Sequence, residues 1–220
     1  MRVHTLISCL CLLTFAAAPG YAAEETIFNR ETVLTDPAHN PVWRELFAEL
    51  GKPRTRFSHF EEHRFFPFRD KPVVLEGEIR IVPQRGLSLS YAGAKPYVVI
   101  VDETGVLMRD ERGRQRSAPD DSRARAVTSA LSSILRFDLP ALEKEFVIHG
   151  ERDGEAWTLG FAPRDPNLAA LLGTVVVQGR QTALDRIVMA KSNEQRIEIL
   201  ITKSQADVIF PMDLLQRFFR

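Results

Sequence analysis

The chain has 220 residues, 45% of them apolar, and its 29 basic residues are balanced by 29 acidic ones. That is room for one domain or two very small ones. Balanced charge at this apolar content excludes a disordered chain, which needs high net charge and few apolar residues, and a nucleic-acid binder working through bulk positive charge.

The first segment has the three parts of a secretory signal. Arg2 and His4 make a weakly positive start, Leu6 to Ala18 is apolar, and Pro19-Gly20 breaks the run before Tyr21-Ala22-Ala23. Cleavage is expected after Ala22, which puts Gly20 third before the cut, or after Ala23. The apolar stretch is too short to span a bilayer. Residues 1 to 23 are therefore assigned to a leader and 24 to 220 to one folded domain. The remainder is about 42% apolar and about one charge negative, ordinary for a globular domain. Cys9 and Cys11 both leave with the leader, so the exported chain has no disulfide, thiol nucleophile or cysteine metal site.

A helix is predicted first. Asn40 can cap it, Pro41 suits its first turn, and Val42, Trp43, Leu46, Phe47 and Leu50 recur at helical spacing before Gly51 and Pro53 stop it. From Arg56 the texture becomes short strands: Arg56 to Phe68, Val73 to Val82, Leu87 to Tyr91, Tyr97 to Asp102, Val106 to Arg109 and Gln115 to Ser117. A second helix runs from Asp120 to Phe137 with a thin stripe of Val127, Leu131, Ile134 and Leu135, and a short helix follows from Pro140. Strands resume at Glu145 to Gly150, Glu155 to Ala162, Gly173 to Gly179, Ala183 to Lys191 and Arg196 to Lys203, with a helical turn at Pro166 to Leu172. Arg152-Asp153-Gly154, Gly179-Arg180-Gln181 and Ser192-Asn193-Glu194 are turn material. Pro211 to Arg220 reads as an amphipathic helix, with Leu214, Leu215, Phe218 and Phe219 on one side; it either caps an open end of the sheet or meets a membrane or partner. Short strands at near-regular spacing describe a meandering antiparallel sheet. The fold class is mainly β (α+β): a curved half-barrel or unclosed barrel of about eleven strands with helices on one side.

Catalytic chemistry is scarce. The chain has no G-x-S-x-G elbow, phosphate loop or dinucleotide fingerprint. His59 and His63 are four apart, but the segment reads as a strand, on which His59, Glu61 and His63 share one face and Phe60, Glu62 and Arg64 the other. A metal site there is not expected, nor any cofactor. The arginines at 109, 112, 114, 116, 123 and 125 alternate with Asp110, Glu111, Asp120 and Asp121, so their net field is modest. The larger signal is apolar surplus in a sheet. A curved sheet packs one face on helices or encloses a space that takes acyl chains, since burying each CH₂ gains about 0.8 kcal/mol. Patterning alone leaves both outcomes open.

The order of these pieces resembles the periplasmic lipoprotein carriers of the LolA type, and more closely a divergent LolA-related branch. Arg56-Phe57-Ser58-His59-Phe60-Glu61-Glu62 stands where the carriers have a Phe-x-Gln-like strand. Leu75-Glu76-Gly77-Glu78-Ile79-Arg80-Ile81 resembles their Gly-x-Leu strand. Arg85 to Tyr91 followed by Lys95-Pro96 resembles the strand ending in an aromatic before a proline, and Val99 to Arg109 the next hairpin. Glu155 to Pro163 resembles the branch's Trp-x-Leu-x-Leu-x-Pro strand. The resemblance implies an unclosed barrel with a helical lid over an apolar cavity, no catalysis, and a monomer. It implies a periplasmic protein that takes the acyl chains of lipoproteins or related lipids from an inner-membrane release complex to an outer-membrane acceptor. By this mapping Phe57, Phe60, Leu75, Ile79, Ile81, Leu87, Leu89, Tyr91, Val99 and Trp157 are candidate cavity residues, and Val127, Leu131 and Leu135 candidate lid residues. The family's lid-holding arginine maps onto Arg85, in a Pro83-Gln84-Arg85 step. The alternative on the same fold is a binding, sensing or accessory module serving a dedicated lipid or envelope export system.

Overall fold

The computed structural model describes residues 32–117 and 121–220; the leader lies outside them. Eleven strands form one antiparallel sheet in the order β6-β5-β4-β3-β2-β1-β11-β10-β9-β8-β7. The first six are β1 (Arg56–Phe65), β2 (Val73–Val82), β3 (Gly86–Tyr91), β4 (Tyr97–Asp102), β5 (Gly105–Asp110) and β6 (Gln115–Ser117). The second group is β7 (Phe146–Asp153), β8 (Ala156–Pro163), β9 (Thr174–Arg180), β10 (Ala183–Ala190) and β11 (Arg196–Ala206). Each group is a meander of neighbours, and the first strand pairs with the last at the centre. The sheet is unclosed, because β6 and β7 are its two edges.

That topology explains the helical cover. β6 and β7 are consecutive in sequence but lie at opposite edges, so the chain between them must travel across the sheet. It does so as α2 (Ser122–Arg136) and α3 (Leu139–Glu145). Asp121 caps α2 by accepting from the Ala124 N–H at 2.8 Å. Phe137 ends it in the left-handed region at φ 50°, with its N–H on the Ile134 carbonyl and that of Asp138 on Ser133. α1 (Pro41–Leu50) and α4 (Pro166–Leu172) complete the cover. Asn40 caps α1 through bonds from the Val42 and Trp43 N–H groups, as its position before Pro41 predicts.

Register fixes which side chains face the helices. On β1, Arg56, Ser58, Phe60, Glu62 and Arg64 pair with Ile81, Ile79, Gly77, Leu75 and Val73. These residues, with Leu87, Leu89, Tyr91, Tyr97, Val99 and Val101 opposite them, make the inner face. The inner face of β7 to β11 is a filled core: Phe146, Leu159, Phe161, Val175 and Val177 are fully buried against Ile134, Leu142 and Leu172 of the helices. Gly77 is required by close approach. A Cβ there would collide with the Ser90 carbonyl oxygen and come within 2.7 Å of the Phe60 ring, so only glycine lets that ring lie across β2.

The C-terminal segment departs from expectation. α5 (Met212–Phe218) neither caps the open end nor stands free. It packs on the outer face, where Phe218 and Phe219 bury with Val82, Val98, Leu214 and Leu215 in a separate cluster.

Candidate functional site

The inner face divides into two halves. Over β7 to β11 the side chains are buried and interlocked. Over β2 to β4, Leu75, Ile81, Leu87, Leu89, Tyr97, Val99 and Val101 are only half-buried, as are Leu131 and Leu135 of α2 facing them. This is an apolar surface that the helices cover without filling. From Leu75 to Ile81 it extends about 20 Å along one strand, at roughly 3.3 Å per residue.

The surface opens into a pocket of about 290 Å³ at one end, between the C-terminal ends of α1 and α2 and the β2–β3 hairpin. Leu50, Ile81, Leu87, Val101, Leu135 and Leu184 give it apolar walls. Its rim is cationic, with Lys52, Arg54, Arg56 and Arg136. At the other end of the face stands a buried polar group. Glu62, 2% exposed, is ion-paired with Arg64 and accepts from the Tyr91 hydroxyl at 2.6 Å. The Tyr91 ring stacks on Tyr97, with centroids 4.6 Å apart, and meets Phe60 edge-on.

A second, larger groove of about 880 Å³ runs along the outer face beside α5, lined by His59, Glu61, Glu76, Glu78, Arg109, Lys203, Arg217 and Phe218 among others. It is mixed in charge. His59, Glu61 and His63 share the outer face as parity predicts, and His63 bonds to Glu61. Among the described residues no group of three His, Cys, Asp or Glu side chains is placed to hold a metal ion.

The family model for "Outer membrane lipoprotein carrier protein LolA-like" matches residues 43–209, which take in every strand and α1 to α4 apart from the first two residues of α1. The chain belongs to this LolA-like family. No curated protein matches it. Solved structures resemble it more distantly. A domain named for outer-membrane lipoprotein sorting from Vibrio parahaemolyticus is 8% identical, with 79% of this chain and 94% of that one covered and a TM-score of 0.41. A LolA superfamily protein from Nitrosomonas europaea is 7% identical, with 78% and 96% covered and a TM-score of 0.41. MucB, in the Pseudomonas aeruginosa MucA/MucB complex, is 14% identical with a TM-score of 0.37; 80% of this chain aligns, spanning 59% of that one. Among the described residues no helix is long and apolar enough to cross a membrane.

Most residues mapped from the LolA-like carriers meet on one face. Phe60, Leu75, Ile79, Ile81, Leu87, Leu89, Tyr91 and Val99 line the inner side of β1 to β4 in register. Trp157 is also inward but belongs to the filled half, where its ring meets Phe137 and its indole N–H donates to the Gln181 carbonyl at 2.9 Å. Val127 is buried in the core under α2, whereas Leu131 and Leu135 border the half-covered surface.

Two assignments are corrected. Phe57 is three residues from Phe60 on an unbroken β1–β2 register, so it lies on the outer face, beside Arg80 at 5.2 Å. Arg85 does not hold a lid helix: it donates to the Arg220 carbonyl at 3.1 Å, at the end of the segment that follows α5. Sequence patterning overlooked Arg56, Glu62 and Arg64 as inward residues. Their signal was present, since all three share parity with Phe60, but charged residues on a strand read by default as solvated.

Proposed function

We propose that this chain is a periplasmic carrier that holds an acyl chain of a lipoprotein or related lipid between the lid helix α2 and the inner face of β2 to β4. The carrying observation is the half-buried apolar surface that opens into the pocket at Leu135, Ile81 and Leu87. In a protein with a packed core elsewhere, apolar surface left under a helix is unspent burial free energy. Each CH₂ placed there gains about 0.8 kcal/mol, so a chain of several methylenes binds without any catalytic group. Release then follows from lid movement and capture by a site that buries the chain more completely. A pocket of about 290 Å³ is at the lower end for small-molecule sites and suits one chain better than several.

The test is to express the protein with its leader, purify it without detergent and examine it by native mass spectrometry, then titrate it with a fluorescent acyl probe. Co-purifying lipid, or saturable probe binding, is the expected result. Bare protein that also fails to bind the probe would rule carriage out. The outer groove favours a second reading, a module that docks a protein partner, because it is the larger of the two cavities and carries charged side chains of both signs beside apolar ones. That reading predicts a cross-linked partner that persists when the inner face is blocked, for example by Leu89→Trp.

A further inference from the structure

The pocket's rim carries a charge pattern that acyl binding alone does not require. Four cations line it, Lys52, Arg54, Arg56 and Arg136, against one carboxylate, Asp102, which is itself paired with Arg220 at 2.9 Å. Three of the four have partners outside the pocket: Lys52 with Glu49, Arg54 with Asp207 at 3.8 Å, and Arg136 with Glu103 at 4.0 Å. Lys52 and Arg136 also sit at the carbonyl ends of α1 and α2, where a cation offsets the helix dipole without any ligand.

Arg56 has neither explanation. It is the first residue of β1, paired with Ile81 and on the same inward parity as Phe60. It is half-buried, and among the described residues no carboxylate is within ion-pairing distance of it. Burial, then the neighbouring Arg54, draws its pKa below the usual arginine value, with Asp207 opposing. A half-buried guanidinium at an apolar pocket, with no carboxylate within ion-pairing distance among the described residues, is costly, and a bound anion would offset that cost. Its planar fork matches a phosphate or carboxylate with two parallel hydrogen bonds.

We infer that the pocket takes a single-chain lipid with an anionic headgroup, the chain lying along Ile81, Leu87, Val101 and Leu135 and the anion on Arg56 with Arg54 beside it. This rests on the acyl-binding reading above and adds the headgroup. It separates the cargo from a neutral, fully acylated chain end, which offers Arg56 no charge.

The experiment is displacement of the neutral fluorophore 1-N-phenylnaphthylamine from the purified protein, with lipids kept below their micelle concentrations. 1-Palmitoyl lysophosphatidic acid is compared with monopalmitoylglycerol, and with glycerol 3-phosphate as the chainless anion. The expected result is displacement by the lysophosphatidic acid at roughly tenfold lower concentration than by the neutral lipid, the size of one charge-assisted contact. Glycerol 3-phosphate is expected to displace nothing. Arg56→Met, which keeps length and apolar character, should abolish the preference by weakening lysophosphatidic acid to the level of monopalmitoylglycerol, and Arg56→Lys should retain part of it. Thermal melts check that each variant is folded. Equal displacement by both lipids, or a preference that survives Arg56→Met, overturns the headgroup assignment and leaves acyl binding standing. If the fluorophore binds and neither lipid displaces it, both readings fall.

Discussion

The Arg80 guanidinium lies 3.7 Å from the centre of the Phe218 ring, so an arginine of the sheet's outer face holds the C-terminal helix. Arg80 is 6% exposed, and its two terminal nitrogens donate to Glu78 and to the Ser90 hydroxyl, the latter at 3.0 Å. Arg109 adds bonds to the Arg217, Phe219 and Gln216 carbonyls, supplying partners for the helix's last carbonyls. α5 is thereby a tied-down element of the fold: Arg80 and Arg109 hold it from the outer face, and Arg220 just beyond it pairs with Asp102 at the pocket.

Phe218→Ala should therefore loosen α5 and little else. The expected loss is about 3 kcal/mol by denaturant unfolding, at the low end for a buried phenylalanine. Arg80→Met should cost less, about 1 kcal/mol, because it removes the cation–π contact but keeps a long apolar stem. Limited proteolysis should cut near residues 207–211 in both variants. Acyl-probe affinity is expected to stay within about twofold of the parent.

Glu62 tests the opposite face. Its carboxylate is shared between Arg64 and the Tyr91 hydroxyl inside the apolar surface. Glu62→Gln keeps an acceptor for Tyr91 but removes the negative charge that Arg64 pairs with here. The expected cost is about 3 kcal/mol, the low end for breaking a buried pair from one side. Glu78→Gln, at a half-exposed pair on the outer face, should cost under about 1 kcal/mol. Parallel urea titrations of the two variants make the comparison.

Stability should also report Glu198. Burial pushes its pKa up, but bonds from Arg186 at 2.6 Å and Arg196 at 2.7 Å outweigh that and hold it below the ordinary value of 4.5. A carboxylate lowered in the folded state contributes stability that is fully present above the unfolded-state pKa. That contribution is lost as pH falls through the folded-state pKa. Melting temperature should thus fall on acidification below about pH 4.5, and Glu198→Gln should flatten part of that slope while lowering the neutral-pH value. An unchanged slope in the variant would remove Glu198 from the account.

The elements were legible because each carried a local cause. Asn40-Pro41 starts α1, the period-two runs from Arg56 to Asp110 are strands, and Pro166 to Leu172 is a helix between two of them. Pairing parity was legible too, but applying it needed to know which side was inside. Phe57 and Phe60 have opposite parity, so both could not line one cavity, and the phenylalanine-rich composition of that strand hid the conflict. The placement of α5 depends on Arg80, Arg85 and Arg109, which lie more than a hundred residues from it in the chain. No local pattern records such contacts. Arg56, at the mouth of the pocket, was masked by the default that a charged strand residue faces water.

The division of the inner face into a filled and an unfilled half yields the last prediction. Leu135 lines the pocket and is half-buried, whereas Ile134 beside it is 2% exposed and belongs to the filled core. Leu135→Trp adds bulk where about 290 Å³ is open, so it should leave the unfolding midpoint near the parent's while weakening acyl-probe binding by roughly tenfold or more, the equivalent of about two methylenes displaced. Ile134→Trp places the same side chain in a packed region and should destabilise by about 1–3 kcal/mol through overpacking. Probe titration and urea unfolding on the two variants read the two effects separately. If Leu135→Trp instead destabilises as much as Ile134→Trp and leaves binding intact, the open half lies elsewhere and α2 is a structural helix rather than a lid.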